Sequence, residues 1–329
     1  MRVRTLLDIP SVLARAGALL LAAGCALVLL LAQGGRFSDR LDVLTHFTPW
    51  FLAGCVVAAA IWALAGRRGR LTPGLAVAGA LSALLLMAPE LVSAAGQKRG
   101  PVDGPTLKIV QFNLWGRNRD PEATARWILE EDPDVIVFQE GFARSGGVAR
   151  ALAIRYPHRT TCAEPLACST MILSKRAPIA EGGLQAGVSE ANLSGAWATF
   201  RGRRGTFTLV GAHYTWPLPA GPQQQQTLRL ARVLDRFPKE SLIVAGDFNS
   251  TPWSFSLRRQ DRLFGLERRT RALFTWPAGR LSRRGVAAPF PILAIDQVYA
   301  GSDWETVDVR RGPLLGSDHF PVVVDLARP

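Results

Sequence analysis

Three apolar stretches near the N-terminus constrain the fold of this 329-residue chain more than any other feature. Ala16–Gln33 and Pro49–Gly66 each run eighteen residues without a charge, and Thr72–Ala95 is interrupted only by Glu90. Eighteen residues is close to the minimum for a helix crossing a hydrocarbon core about 30 Å thick. A cleaved signal peptide accounts for one such stretch but not for three. Buried helices of a soluble domain are the competing explanation, which the short Arg-containing connections disfavour. Residues 1–96 are therefore expected to form a membrane anchor of three transmembrane helices.

The loops suggest an orientation. Arg67, Arg68 and Arg70 stand in one connection without an acid, and Arg2, Arg4 and Arg15 precede the first span. In the other connection Arg36 and Arg40 are balanced by Asp39 and Asp42. Lys and Arg favour the cytoplasmic side, so an odd number of crossings carries everything after residue 96 outside. Lys98 and Arg99 oppose this. The expected location is the cell membrane, multi-pass, with the C-terminal part outside the cytoplasm. Cys25 and Cys55 fall within apolar spans and read as packing. Cys162 and Cys168 bracket "AEPLA" with no Cys or His cluster nearby, so metal binding is disfavoured; a small disulfide in an oxidising compartment and two free thiols both stay open. After residue 96 the chain carries 31 basic and 22 acidic residues, a net of +9, which suits phosphates or an anionic membrane surface.

Residues 97–105, "QKRGPVDGP", read as a linker. From residue 106 to 329, β-rich runs alternate with amphipathic helical stretches, implying a layered α/β or α+β domain. "PEATARWILEEDPD" has helix boundary signals at both ends. "QQQQTLRLARVLDRF" places Leu230, Val233, Leu234 and Phe237 on one stripe. "GAWATFRG" and "TFTLVGAHY" read as a hairpin turning at "RGRRG".

Alone, "VAGDFNSTPWS" (Val244–Ser254) reads as a turn, because Asp, Asn, Ser and Pro are turn residues. Other strands change the balance. Asn113 follows "IVQF", Glu140 follows "VIVFQ", His213 follows "TLVGA", Asp296 follows "PILAI", and Asp318–His319 precede "FPVVV". Residues two apart on a strand share a face, so Asp247 and Asn249 are expected to reach one cleft. Six strands with polar termini favour a converging site over six unrelated turns.

In family order, "QFNLWG", "PDVIVFQE", "GAHY", "GDFNSTP", "IDQVY" and "GSDHFPV" resemble the endonuclease/exonuclease/phosphatase superfamily across Leu107–Leu326. The resemblance implies an α+β four-layer sandwich, two packed mixed sheets with outer helices, here preceded by three transmembrane helices. It also implies a metal-dependent phosphoric ester hydrolase. A hard cation on oxygen ligands suits a phosphate ester under attack. By this resemblance Glu140, Asn113 and Asp318 are the Mg²⁺ positions, with Mn²⁺ the alternative ion. Asp247 orients or deprotonates water, and Asn249 and His319 contact the phosphate. Asp296 orients His319, and His213 protonates the leaving oxygen. Deoxyribonuclease-like members pair that last histidine with a carboxylate near "ILS". Here "CSTMILSK" holds no acid, which weakens the expectation for His213. His46 and His158 match no motif and read as bystanders.

The resemblance includes bacterial proteins of this layout linked to polyprenyl-pyrophosphate dephosphorylation. The leading expectation is a membrane-anchored phosphoesterase acting on a lipid-linked phosphate or pyrophosphate, with Trp216 and Trp276 either gripping an apolar chain or packing the sandwich. A nuclease acting on extracytoplasmic DNA or RNA is the alternative, with the pairs Arg258–Arg259, Arg268–Arg269 and Arg283–Arg284 tracking the backbone. A non-enzymatic surface receptor is disfavoured by the intact polar set. No protein partner is implied.

Overall fold

The computed structural model describes residues 9–142, 145–163, 168–184, 193–280 and 286–329. Arg2, Arg4 and the Arg283–Arg284 pair lie outside the described residues. Two compact units are present, Met1–Val92 with Thr251–Arg258, and Ser93–Ser250 with Arg259–Pro329.

The first unit contains α1 (Ile9–Ala32), α2 (Asp39–Thr45) and α3 (Thr48–Leu64), together with most of α4 (Leu71–Ala95). Two helices, α1 and α4, are long and apolar enough to cross a membrane. The second apolar stretch forms α3, which follows α2 at a bend of 56°; only together do these two reach spanning length. Pro49 sits in the first turn of α3, where its missing N–H costs nothing but cannot extend a preceding helix. The helices meet through small residues, with Ala22, Cys25, Cys55, Ala58, Ala76 and Ala83 buried together. Large ones face out, among them Leu20, Leu30, Val56 and Leu85. Small inside and large outside is the pattern of helices packed in lipid. His46, expected to be a bystander, is buried with its Nδ1 3.1 Å from Thr251 Oγ1. Beside it, the Asp42 carboxylate accepts from the backbone N–H groups of Phe255 and Ser256.

The second unit is built on two six-stranded sheets. The first has the order β13-β14-β1-β2-β4-β3. Its strands are β1 (Thr106–Asn113), β2 (Val135–Gln139), β3 (His158–Thr161), β4 (Thr170–Ser174), β13 (Glu305–Arg311) and β14 (Val322–Ala327). The second has the order β5-β6-β7-β8-β12-β9. It is made of β5 (Ala180–Gly183), β6 (Ser194–Gly202), β7 (Gly205–His213), β8 (Leu242–Asp247), β9 (Glu267–Arg268) and β12 (Asp296–Ala300). A separate short ribbon pairs β10 (Gly279–Arg280) with β11 (Ala287–Ala288). Among the described residues only β1–β2 and β7–β8 pair in parallel, so each sheet is mixed.

Period-two alternation sorts each strand. Ile109, Val137 and Ile172 from one sheet pack with Leu209, Ile243, Ala245 and Val298 from the other. The intervening residues Val110, Phe112, Ile136 and Phe138 pack outward on α5 (Pro121–Glu131) and α6 (Gly146–Leu152) through Ile128, Val148 and Leu152. The helix α5 starts as its sequence requires, with the Asp120 side chain accepting from Ala123 N–H ahead of Pro121. On the other sheet, Leu230 and Leu234 of α7 (Pro222–Leu234) are buried, and Phe264 at the end of α8 (Phe255–Phe264) packs edge-on to Tyr299. Helices therefore cover the outer faces of a sheet pair whose shared face is the core.

Candidate active site

The same alternation that points Ile109 at the facing sheet points Gln111 and Asn113 there too, since they lie two and four residues further along β1. It likewise aligns Asp247 with Ile243 and Ala245, His213 with Leu209, and Asp296 with Val298. The pairing places these ends level. Ser194, His213, Asp247 and Asp296 are successive Cα partners across one sheet. Thr170, Gln139 and Asn113 form the corresponding row across the other. The apolar layer between the sheets thus ends, on one edge, in two facing polar rows.

The groups make direct contact. Asp247 Oδ2 accepts from Asn113 Nδ2 at 2.9 Å, while Asp247 Oδ1 accepts from Asn249 N–H at 2.9 Å. Both His213 Nε2 and His319 Nε2 approach the same Asp247 Oδ2, at 3.8 and 3.7 Å. His319 Nδ1 is 2.8 Å from Asp296 Oδ2, which also accepts from Thr275 Oγ1 at 2.6 Å. Gln111 Nε2 donates to Asp296 Oδ1 at 2.9 Å. The loop carrying His319 is fixed by Ser317, whose hydroxyl donates to Asn113 C=O and accepts from His319 N–H.

These contacts set the charges. Burial raises Asp247 to about 7, and the nearby Asp296 adds to this against the opposing His319 and hydrogen bonds. Burial alone would lower His319, yet Asp296 and Asp247 outweigh it and raise the imidazole to about 10. His213 is lowered, chiefly by burial. Burial and the neighbouring charges therefore favour the cationic form of His319 and bring the Asp247 carboxyl toward neutral pH.

Backbone strain concentrates here. Trp115, Glu140 and Asn249 have φ of 54°, 54° and 48°, each just past the end of β1, β2 or β8. A non-glycine residue in this region costs roughly 1–2 kcal/mol and persists where the surroundings enforce it. For Asn249 the backbone leaves the strand geometry on which the expectation was built. The strand ends at Asp247, and Asn249 turns its Nδ2 to Tyr214 C=O at 2.9 Å. Its second amide hydrogen is uncommitted in that bond.

The expected metal positions divide. Asn113 Oδ1 accepts from Trp115 N–H, which identifies the oxygen end, and Nδ2 faces Glu140 and Asp247. Asn113 thus bridges two acids through nitrogen and aims no oxygen between them. Glu140 receives Asn113 Nδ2 at 3.3 Å and Gly116 N–H at 3.1 Å. Burial raises Asp318, and the neighbouring Glu140 carboxylate raises it further against an opposing His319. Two acids that repel each other fit a divalent cation on oxygen donors. Asp247, Asp296 and His319 also bring ligand atoms within 4.8 Å of one another. Both Asp296 oxygens already accept hydrogen bonds, so this trio is better described as a hydrogen-bonded relay.

Cys162 and Cys168 are joined as a disulfide, with Cα atoms 5.4 Å apart. Trp216 and Trp276 meet edge to face at 6.2 Å. Arg268 and Arg269 are buried, held by Asp261 and by the carbonyls of Gly301 and Trp304. Neither is available to a nucleic-acid backbone. The sequence reading also missed Gln111, Thr275, Ser317, Ser169 and Gln223. Gln111 and Ser317 stand two residues before a site residue and Gln223 at a helix start, whereas Thr275 and Ser169 carry no local signal and are placed only by tertiary contacts.

Residues 110–319 match the Endonuclease/Exonuclease/phosphatase family. The fold is similar to that of SmcL, at 15% identity, with a TM-score of 0.55 over 68% of this chain and 99% of that one. It is also similar to beta toxin from Staphylococcus aureus with bound magnesium ions, at 14% identity and a TM-score of 0.53, over 68% and 100% of the two chains. TDP2 from D. rerio, complexed with a single-strand DNA product, aligns at 14% identity and a TM-score of 0.54, over 67% and 98%. The comparison with curated proteins gave no match. The chain belongs to the endonuclease/exonuclease/phosphatase family, a family of divalent-metal-dependent enzymes, and is a phosphoric ester hydrolase.

Proposed function

We propose that this protein is a membrane-anchored, Mg²⁺-dependent phosphoesterase that hydrolyses a lipid-linked phosphate or pyrophosphate outside the cytoplasm. The observation that carries the chemistry is the approach of His213 and His319 to one oxygen of Asp247. Glu140 and Asp318 would hold the cation, which neutralises charge on the phosphoryl oxygens. The chain's own groups do the rest. Asp247 takes a proton from water as that oxygen attacks phosphorus. The P–O bond to the leaving group breaks, and His213 Nε2 delivers a proton to the departing oxygen. His319, held cationic by Asp296 and Asp247, hydrogen-bonds a phosphoryl oxygen, aided by the second amide hydrogen of Asn249.

A lipid-linked substrate is supported by the apolar helices, which raise the local concentration of membrane substrates. Trp216, 63% exposed and edge-on to Trp276, offers apolar area beside the site. The nuclease reading keeps its net positive charge and its likeness to TDP2, but the burial of Arg268 and Arg269 removes part of its support.

The test uses the full chain in detergent with Mg²⁺, offered a polyprenyl pyrophosphate, plasmid DNA and sphingomyelin. Polyprenyl pyrophosphate turnover that EDTA removes and Mg²⁺ restores, and that Glu140→Ala abolishes in a folded protein, is expected. DNA nicking without lipid turnover would reject the substrate class. Activity retained in Glu140→Ala would reject the metal site.

A further inference from the structure

His213 needs a partner at Nδ1 if Nε2 is to face the substrate in a fixed orientation. The carboxylate that deoxyribonuclease-like members place near this strand is missing from "CSTMILSK". In its place Ser169 Oγ lies 2.7 Å from His213 Nδ1. The surrounding hydroxyls fix the direction of that bond. Ser194 Oγ accepts from Ser169 N–H at 2.9 Å and from the Ser169 hydroxyl at 3.0 Å, which fills its two lone pairs. Thr170 Oγ1 donates its hydrogen to Ser194 C=O, so it accepts the remaining Ser194 hydrogen at 2.9 Å. Ser169 has therefore given its own hydrogen away and keeps lone pairs for Nδ1–H. The imidazole is held with Nδ1 protonated and Nε2 turned toward Asp247 and the cleft.

The chain of hydroxyls is anchored at both ends. Ser194 is the direct cross-strand partner of His213. Ser169 follows Cys168 immediately, and the Cys162–Cys168 bridge spans from just after β3 to just before β4. The Cys162 N–H donates to Cys168 Sγ at 3.1 Å, adding a second tie at the same place.

We propose that Ser169 is the positioning residue of His213, a neutral acceptor in a segment that lacks the carboxylate the resemblance leads one to expect, and that the Cys162–Cys168 disulfide holds it there. The proposal rests on the reading of His213 as the group that protonates the leaving oxygen. In that step His213 starts as an imidazolium, protonated at both nitrogens, and its Nε2–H passes its proton to the oxygen as the P–O bond breaks. The electron pair of the N–H bond stays on the ring, and Nδ1–H remains bonded to Ser169.

The experiment measures kcat and KM on aryl methyl phosphates graded from p-nitrophenyl, which leaves unaided, to unsubstituted phenyl, which needs a proton. Ser169→Ala is expected to lose roughly 10²-fold in kcat on the phenyl ester and about threefold or less on the p-nitrophenyl ester, with KM unchanged. Ser169→Thr, which keeps the hydroxyl, restores the phenyl rate. Cys162→Ala/Cys168→Ala, tested as the folded double variant, shows the same leaving-group dependence as Ser169→Ala. An equal loss across the series in Ser169→Ala would make Ser169 merely structural and overturn the proposal. A double variant with wild-type rates would overturn its disulfide part. His213→Ala separates the two levels. If it steepens the dependence while Ser169→Ala does not, only this inference fails. If it does not steepen it, the role of His213 fails first.

Discussion

Asp247 brings the most chemistry into one side chain. It sits on the inward face of β8, accepts hydrogen bonds from Asn113 and Asn249, and is approached by two imidazoles. Burial and Asp296 raise it to about 7, so between the ordinary carboxylate value and 7 the folded protein keeps a proton that the unfolded chain has released. Its contribution to stability therefore falls as pH rises through that window. As the base it works only when ionised. kcat/KM is expected to rise through about pH 7, and Asp247→Asn to lose roughly 10²–10⁴-fold and flatten the rise. A pH–rate profile that stays level between 6 and 8 in the wild type would exclude this role. Asn249 carries the opposite lesson: its letter was legible and its conformation was not, because the left-handed turn at its φ of 48° breaks the alternation that predicted its direction.

Among the elements, α7 shows how a polar run is used. Of its opening glutamines, Gln223 and Gln226 face inward and Gln224 and Gln225 face solvent. Gln223 Nε2 donates to the carbonyls of Thr215, Phe248 and Asn249, and its Oε1 accepts from Ser250. One buried amide thus joins three carbonyls and a hydroxyl around the loop after β8. Gln223→Ala leaves those carbonyls without their donor, at a cost of about 2 kcal/mol, and should lower kcat by loosening Asn249. Urea unfolding with parallel kinetics checks both, and a destabilised variant with wild-type kcat would separate the loop from catalysis. The long apolar strands β1, β2, β7 and β8 and the capped helix α5 were plain in the sequence. Strands such as β3, β5 and β13 were not. Their mixed side chains, as in "HRTT" and "ETVDVRR", become strands only because a neighbour offers an edge to pair with.

At the scale of the whole molecule, the two compact units differ in how they bury surface. The first packs mainly small residues inward, with Leu29 and Leu86, and leaves many leucines and valines outside, whereas the second buries its large apolar residues between two sheets and under helices. The first arrangement is consistent with association with a membrane, the setting proposed for it. A reporter active only outside the cytoplasm, fused at Pro329 of the full chain, should give signal in intact cells. Silence, with signal from the complementary cytoplasmic reporter, would reverse the proposed orientation.

The motifs in their order were enough for the family and the phosphoester chemistry, and hydropathy was enough for the apolar N-terminal region, because each is written in local runs of residues. Tertiary structure alone decided which ends stand level, which amide end faces which acid, that Arg268 and Arg269 are spent on buried contacts, and that a serine partners His213. Each of these depends on strand register and on which side chain fills the space left by another, and no local run of residues encodes either.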